Sequence, residues 1–230
     1  MCIRDRGNEV VVSYKWHDLP PGSGLLDLEL GRESELTHYD WITDTTVHDG
    51  SAWAYMKNSK YKTTTDLVHY LIDNVSKNGY MLLNIGPKPD GTIPEEDKNL
   101  LEGIGNWLDV NGEAIFETET WDQYGEGPTK MNEAGPFSDN RAKLIYTAKD
   151  FRFTTKDNFL YATALGWPSK DFTIESIYKL FDNEIERVEL LGSTDKVEWK
   201  HTRDGLHITR PDNKPCEHAY SFKITRKEYL

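Results

Sequence analysis

Cysteine is nearly absent: Cys2 and Cys216 stand at opposite ends of 230 residues, giving neither a disulfide framework nor a metal-ligand spacing and leaving the redox compartment open. Long apolar runs are missing too. None approaches the roughly 20 residues that cross a bilayer, and the opening MCIRDRGNE lacks the apolar stretch of a secretion signal. Positive charge is scarce, with 27 basic against 39 acidic residues and a formal net charge of −12. Without a basic cluster to neutralise phosphates, neither nucleic acid nor a membrane surface is an expected partner. The seven histidines form no H-E-x-x-H or Cys/His set, and no G-x-S-x-G or phosphate-cradling glycine loop occurs, so neither a metal nor a cofactor is expected. Seven tryptophans and twelve tyrosines are present. Such rings stack on sugar C–H faces, and they also fill ordinary cores.

The length suits two domains. Val10-Val11-Val12 in NEVVVSYKW predicts a strand buried on both faces, as in parallel sheets. YDWIT (39–43) predicts a second strand after a polar loop. The segment TTTDLVHYLIDNVSKNG spaces Leu67, Val68, Leu71, Ile72 and Val75 for a helix, capped by threonine and stopped at Gly79. YMLLNIGP reads as a buried strand. Pro94, the acidic residues after it and Asn111-Gly112 bracket a second helix, and EAIF (113–116) reads as the next strand. This is the rhythm of β/α units on a parallel sheet. After Trp121, DQYGEGPTKMNEAGPFSDN reads as a linker or long loop. AKLIYTA, FRFT, NFLYATALGW, FTIESI, RVELLG, KVEWKHT, GLHITR and HAYSFKITR then predict the short strands of an antiparallel sandwich.

In GLLDLELGRESE, Asp27 and Glu29 are separated by one leucine. On extended chain both carboxylates leave the same side, which faces either water or a substrate. The runs NGYMLLNIGPKPDGTIP, GNWLDVNGEAIFETETW, ATALGWP and LLGSTDKVEWKHTRDGLHITRP, in this order and spacing, resemble the C-terminal part of the α-L-fucosidases of glycoside hydrolase family 29. EVVVSYKW and DWITDTTVHDGSAWAY resemble that family's fifth-strand and tryptophan-bearing sixth-strand segments. The resemblance spans residues 8 to 225. It implies a partial (β/α)8 TIM-like barrel, about strands five to eight, over residues 7–125, then an antiparallel β-sandwich over 126–230, with residues 1–6 an extraneous leader.

It also implies hydrolysis of terminal α-L-fucosyl linkages with retention, acting on a fucosylated oligosaccharide or glycoconjugate, in a parent that is secreted, periplasmic or lysosomal. Retention needs a nucleophile and a general acid/base. The family nucleophile is an Asp ending the fourth strand; it would lie upstream and be absent here, leaving this chain inactive alone. Counting back twelve residues from Trp41, the resemblance places the general acid/base at Glu29, with Asp27 its competitor and Glu33 and Glu35 behind. It suggests substrate contacts for Trp53, Lys15, His17 and Asn84. Each has a plainer reading: barrel packing for Trp53, a surface lysine, a loop histidine, and for Asn84 a hydrogen bond to loop backbone. Trp41, Trp167 and Trp199 read as core.

Three rivals stand beside this reading. Asp27 and Glu29 could serve a substrate-assisted glycosidase, although the longer acidic strand motif of that chemistry is missing. The chain could instead be a non-catalytic carbohydrate-binding protein whose sandwich carries Trp167 and Trp199 as a platform. An interaction module built on an uncovered half-barrel is the third.

Overall fold

Four short strands in the first part of the chain lie side by side and parallel: β1 (Ser13–Lys15), β2 (Leu25–Asp27), β3 (Trp41–Thr46) and β4 (Gly79–Asn84), in that order across the sheet. The computed structural model describes residues 12–15, 18–20, 22–50, 52–140 and 143–227. Between β3 and β4 runs α1 (Thr64–Ser76), opened by a capping box in which Thr63 and Asp66 satisfy each other's backbone N–H groups. After β4 comes α2 (Glu95–Asn111), preceded by Pro94 and carrying Glu95, Glu96 and Asp97 in its first turn, where acidic groups suit the helix dipole. Leu67, Val68 and Ile72 of α1 pack with Leu100, Ile104 and Trp107 of α2 in one buried cluster.

Side-chain alternation divides the sheet. Trp41 of β3, fully buried, packs with Leu26 and Leu28. It pairs with Gly79, where a Cβ would lie 2.4 Å from the indole ring. Gly79 is therefore a strand residue making room for a ring rather than the helix stop expected from sequence: α1 ends at Ser76, and Asn78 takes the left-handed turn at φ 71°.

The second half is an antiparallel sandwich. β5 (Glu119–Glu126), β6 (Phe151–Lys156) and β7 (Phe159–Ala164) lead to the three-residue β8 (Phe172–Ile174), then β9 (Ile185–Leu190), β10 (Trp199–Thr202), β11 (Gly205–Ile208) and β12 (Tyr220–Arg226). The sheets run β5-β6-β7-β12-β9 and β10-β11-β8. Between them Phe151, Phe153, Leu160, Leu206, Phe222 and Ile224 form a closed core. Trp107 Nε1 donates to the Ala219 carbonyl (2.9 Å), the Ser221 N–H donates to Asn111 Oδ1 (3.2 Å) and Thr154 Oγ1 donates to the Ala114 carbonyl (2.8 Å). The helices thus lie between the parallel sheet and the sandwich.

Several expectations change. Val10 and Val11 lie outside the described residues, and Val12 is 55% exposed beside an edge strand, so the described end of this segment is not buried on both faces. The polar loop expected to carry Asp27 contains β2. EAIF is no strand: a 3-10 turn at Gly112–Ala114 is closed by the Ile115 and Phe116 N–H groups, both donating to the Gly112 carbonyl. Part of the expected linker is β5, which pairs with β6 and makes the sandwich sheet begin at Glu119 rather than after 126. The described part of AKLIYTA is not a strand. It ends in a turn organised by the Asp150 carboxylate, which accepts from the Thr147 and Thr129 N–H groups at 2.7 and 2.8 Å.

Candidate active site

The parallel register places Lys15, Asp27, Ile42 and Tyr80 in one row across the sheet, with Asp44 and Leu82 in the next and Thr46 and Asn84 in the last. These residues share the face turned away from Trp41. Beyond β2 the chain stays extended, because the Leu28 and Leu30 N–H groups donate to the Ile42 and Asp44 carbonyls at 2.8 and 2.9 Å. Leu26, Leu28 and Leu30 are therefore buried on one side, and Asp27 and Glu29 emerge together on the other. Tyr80 and Leu82 on this face are 54% and 58% exposed, whereas Thr46 in the last row is buried and its hydroxyl donates to the Ala52 carbonyl at 2.9 Å.

Three carboxylates converge there on one ammonium. Lys15 Nζ lies 2.8 Å from Glu29 Oε2 and 3.5 Å from both Asp27 Oδ2 and Asp44 Oδ2. The Glu29 side chain keeps 25% of its surface, so it is neither sealed in nor out in solvent. Burial works against the Lys15 charge, but the hydrogen bond to Glu29 and the charges of Asp27 and Asp44 outweigh it and hold the ammonium above the usual lysine range. Burial, followed by the adjoining Asp27 carboxyl, pushes Asp44 above the usual carboxylate range while Lys15 pulls the other way. One ammonium thus faces three carboxylates, and Asp44 is the one displaced toward holding its proton.

The loop carrying Glu29 is clamped from the other domain's side. Leu30 turns at φ 48°, and the segment between β5 and β6 runs antiparallel to it. The Phe137 N–H donates to the Glu29 carbonyl (2.7 Å), Asp139 N–H to the Leu30 carbonyl (3.0 Å) and Gly135 N–H to the Arg32 carbonyl (2.8 Å). The approach is so close that a Cβ on Gly31 would sit 2.1 Å from the Gly135 carbonyl oxygen. Gly31→Ala is expected to part the two segments and cost about 1–3 kcal/mol, as overpacking does. Urea unfolding checks the size, and hydrogen exchange should show protection lost first at Gly135, Phe137 and Asp139.

Behind the clamp lies a buried charge network. Asp73 of α1, fully buried, receives Arg152 Nε at 2.6 Å, Lys77 Nζ at 2.9 Å and Arg32 Nη1 at 3.5 Å. Arg32 Nε also donates to Asp139 Oδ1 at 3.1 Å. Although burial alone would raise it, the three cations hold the Asp73 carboxyl far below the usual range. The Tyr70 ring lies 4.3 Å from the Arg32 guanidinium, and Tyr124 and Tyr146 flank Arg152.

The structure thus gathers Lys15, Asp27 and Glu29, and puts Asn84 on the same face. Asn84 Nδ2 donates to the Trp53 carbonyl at 2.9 Å, which is the loop-backbone bond foreseen for it; the Trp53 side chain is half-buried. His17 lies outside the described residues. Glu33 is drawn off to the Tyr39 hydroxyl at 3.0 Å. Asp44 was missed, although its signal was available: Ile42, Asp44 and Thr46 alternate in a strand whose other residues are buried. Trp167 meets Tyr220 edge-on at 4.8 Å and, like Trp199, packs against the sandwich core, as expected of core rings.

Comparison with known proteins follows the same division. Residues 2–113 match the family model described as alpha-L-fucosidase, a match that reaches into the segment 1–6 set apart from sequence as a leader. Residues 143–225 match the alpha-L-fucosidase C-terminal domain. The plasma alpha-L-fucosidase of Pongo abelii is 31% identical over 198 residues, covering 83% of this chain and 38% of that protein. The tissue alpha-L-fucosidase of Rattus norvegicus is 29% identical, covering 85% and 39%. A crystal structure of Thermotoga maritima alpha-fucosidase with a mechanism-based inhibitor superposes with a TM-score of 0.70 at 25% identity, covering 94% of this chain and 45% of that one. The chain therefore spans about two-fifths of the length of these curated relatives.

Proposed function

Because the chain belongs to the α-L-fucosidase family, glycoside hydrolase family 29, we propose that its parallel sheet is the closing half of a (β/α)8-like barrel and that Glu29 is the general acid/base of a retaining exo-glycosidase. In this reading β1 to β4 fill the fifth to eighth barrel places, with β2 entering and EAIF dropping out. The polar face becomes the barrel interior, and Lys15, Glu29 and Asn84 stand at the C-terminal strand ends, where barrel active sites form. The observation that carries the reading is the position of Glu29: one residue pair past the end of β2, on the same face as Asp27, Asp44 and Asn84, part-buried and hydrogen-bonded to Lys15.

The nucleophilic carboxylate would come from the half of the barrel that this chain does not span. In this reading Glu29, as the acid, gives a proton to the departing glycosidic oxygen as the upstream Asp attacks the sugar. As carboxylate it next takes a proton from the water that releases fucose. The substrate is a fucosylated oligosaccharide or glycoconjugate met outside the cytosol, by a parent that is secreted, periplasmic or lysosomal. Trp53, held through its carbonyl by Asn84, offers its ring to the sugar, and Lys15 orients Glu29. Asp27 serves Lys15 rather than the leaving group.

An aryl α-L-fucoside assay tests this. This chain alone should give no turnover above buffer. The chain extended upstream to the length of its relatives should turn over. Equal turnover by both would overturn the missing-nucleophile reading.

A further inference from the structure

Thr46 and Asn84 are register partners at the ends of β3 and β4, and their side chains donate to two successive carbonyls of the loop that follows β3. Thr46 Oγ1 reaches the Ala52 carbonyl at 2.9 Å, and Asn84 Nδ2 reaches the Trp53 carbonyl at 2.9 Å. These two carbonyls belong to the peptide planes on either side of the Trp53 Cα. Each plane is rigid, so holding both sets φ and ψ of Trp53, and with them the direction in which its side chain leaves the backbone.

The Thr46 hydroxyl, fully buried, is used twice. It also accepts from the His48 N–H at 3.4 Å, so one oxygen ties the start of the loop to its end. The strand end beneath is itself fixed: the Val47 N–H donates to the Asn84 carbonyl at 3.2 Å, and Lys62 Nζ donates to the Thr46 carbonyl at 2.7 Å. Farther along, the loop rests on Gly86, where a Cβ would lie 2.7 Å from the Tyr55 nitrogen. Gly50 takes the loop through φ 110°, a region glycine enters freely, so the anchors rather than local stiffness give the loop its shape. The half-buried Trp53 thus stands on backbone held from below at both flanking peptides.

We propose that Thr46 is a positioning residue for substrate binding: together with Asn84 it aims the Trp53 ring at the sugar, and it touches no substrate itself. This rests on the reading of Trp53 as a sugar contact and is independent of which carboxyl is the acid/base.

The test follows an aryl α-L-fucoside with the upstream-extended chain. A ring that packs on the sugar equally in ground and transition states acts on KM and not on kcat. Thr46→Val should therefore raise KM about three- to tenfold, the net worth of one hydrogen bond, with kcat little changed. Thr46→Ser, which keeps the hydroxyl, should restore KM, and Asn84→Ala should raise it as Thr46→Val does. Because the effect runs through the ring, Thr46→Val combined with Trp53→Ala should raise KM no further than Trp53→Ala alone. A second readout needs no turnover: in this chain the indole N–H resonance of Trp53, identified by its loss in Trp53→Ala, should shift or broaden in Thr46→Val. Circular dichroism checks the fold of each variant, and Asn84→Ala decides the matter if Thr46→Val does not fold. An unmoved resonance, or an unchanged KM in the folded variants while Trp53→Ala raises it, would overturn the positioning role. An unchanged KM in Trp53→Ala itself would overturn the sugar contact, and the positioning role with it.

Discussion

Asp73→Ala should come close to unfolding the chain. The substitution leaves Arg32, Lys77 and Arg152 facing one another in a buried space, since all three lose the carboxylate they share. Removing one partner of a buried ion pair costs about 3–5 kcal/mol, against a total stability of about 5–15 kcal/mol. Backbone carbonyls blunt the loss: Lys77 keeps the Glu33 carbonyl at 3.1 Å and Arg152 the Phe151 carbonyl at 2.9 Å. Urea unfolding should therefore show a midpoint shift of that size, and adding Arg152→Met to Asp73→Ala should recover part of it, because one stranded charge is gone.

The pH dependence has a definite sign. The folded-state pKa of Asp73 is depressed far below its unfolded value of about 3.9. Its contribution is complete above about pH 4 and is lost as pH falls from there toward the folded value. The slope of stability against pH below pH 4 should flatten in Asp73→Asn; an unchanged slope would mean that other carboxylates carry acid unfolding.

Glu29→Gln should produce the largest loss of activity in the upstream-extended chain. Glutamine keeps the shape and can still accept from Lys15, but it can neither deliver nor remove a proton. General acid–base groups contribute about 10^2–10^4-fold, and fucoside turnover should fall within that range while the unfolding midpoint moves little. Asp27→Asn should cost much less. A larger loss there would transfer the role to Asp27.

Much of this architecture was legible as periodicity. The leucines of LLDLEL and the alternation in WITDTT settle which side the carboxylates take, and the apolar spacing from Leu67 to Val75 gives α1. Two things were hidden. β2 is only three residues long, and its neighbours' hydrogen bonds, rather than its own propensity, extend it to Glu29. The network of Arg32, Asp73, Lys77, Asp139 and Arg152 joins residues from four separate parts of the sequence; only Asp73 and Lys77, one helical turn apart, could have been paired by spacing. The clamp at Gly31 depends on a segment more than a hundred residues away, which composition marked as a linker. EAIF misled because Ala114 and Ile115 are buried like strand residues while the backbone turns back on Gly112. Asp44 shows the reverse case, a polar residue whose strand position was readable and whose partners were not.

The most direct measurement of the central claim compares Glu29→Gln with the unsubstituted extended chain on two aryl α-L-fucosides, one with a 2,4-dinitrophenyl leaving group and one with a phenyl group. If Glu29 protonates the departing oxygen, the variant should cleave the dinitrophenyl substrate nearly as fast as before in its first step, since that anion leaves unaided, and lose orders of magnitude on the phenyl substrate. An equal loss on both, or no loss on either, would contradict the assignment.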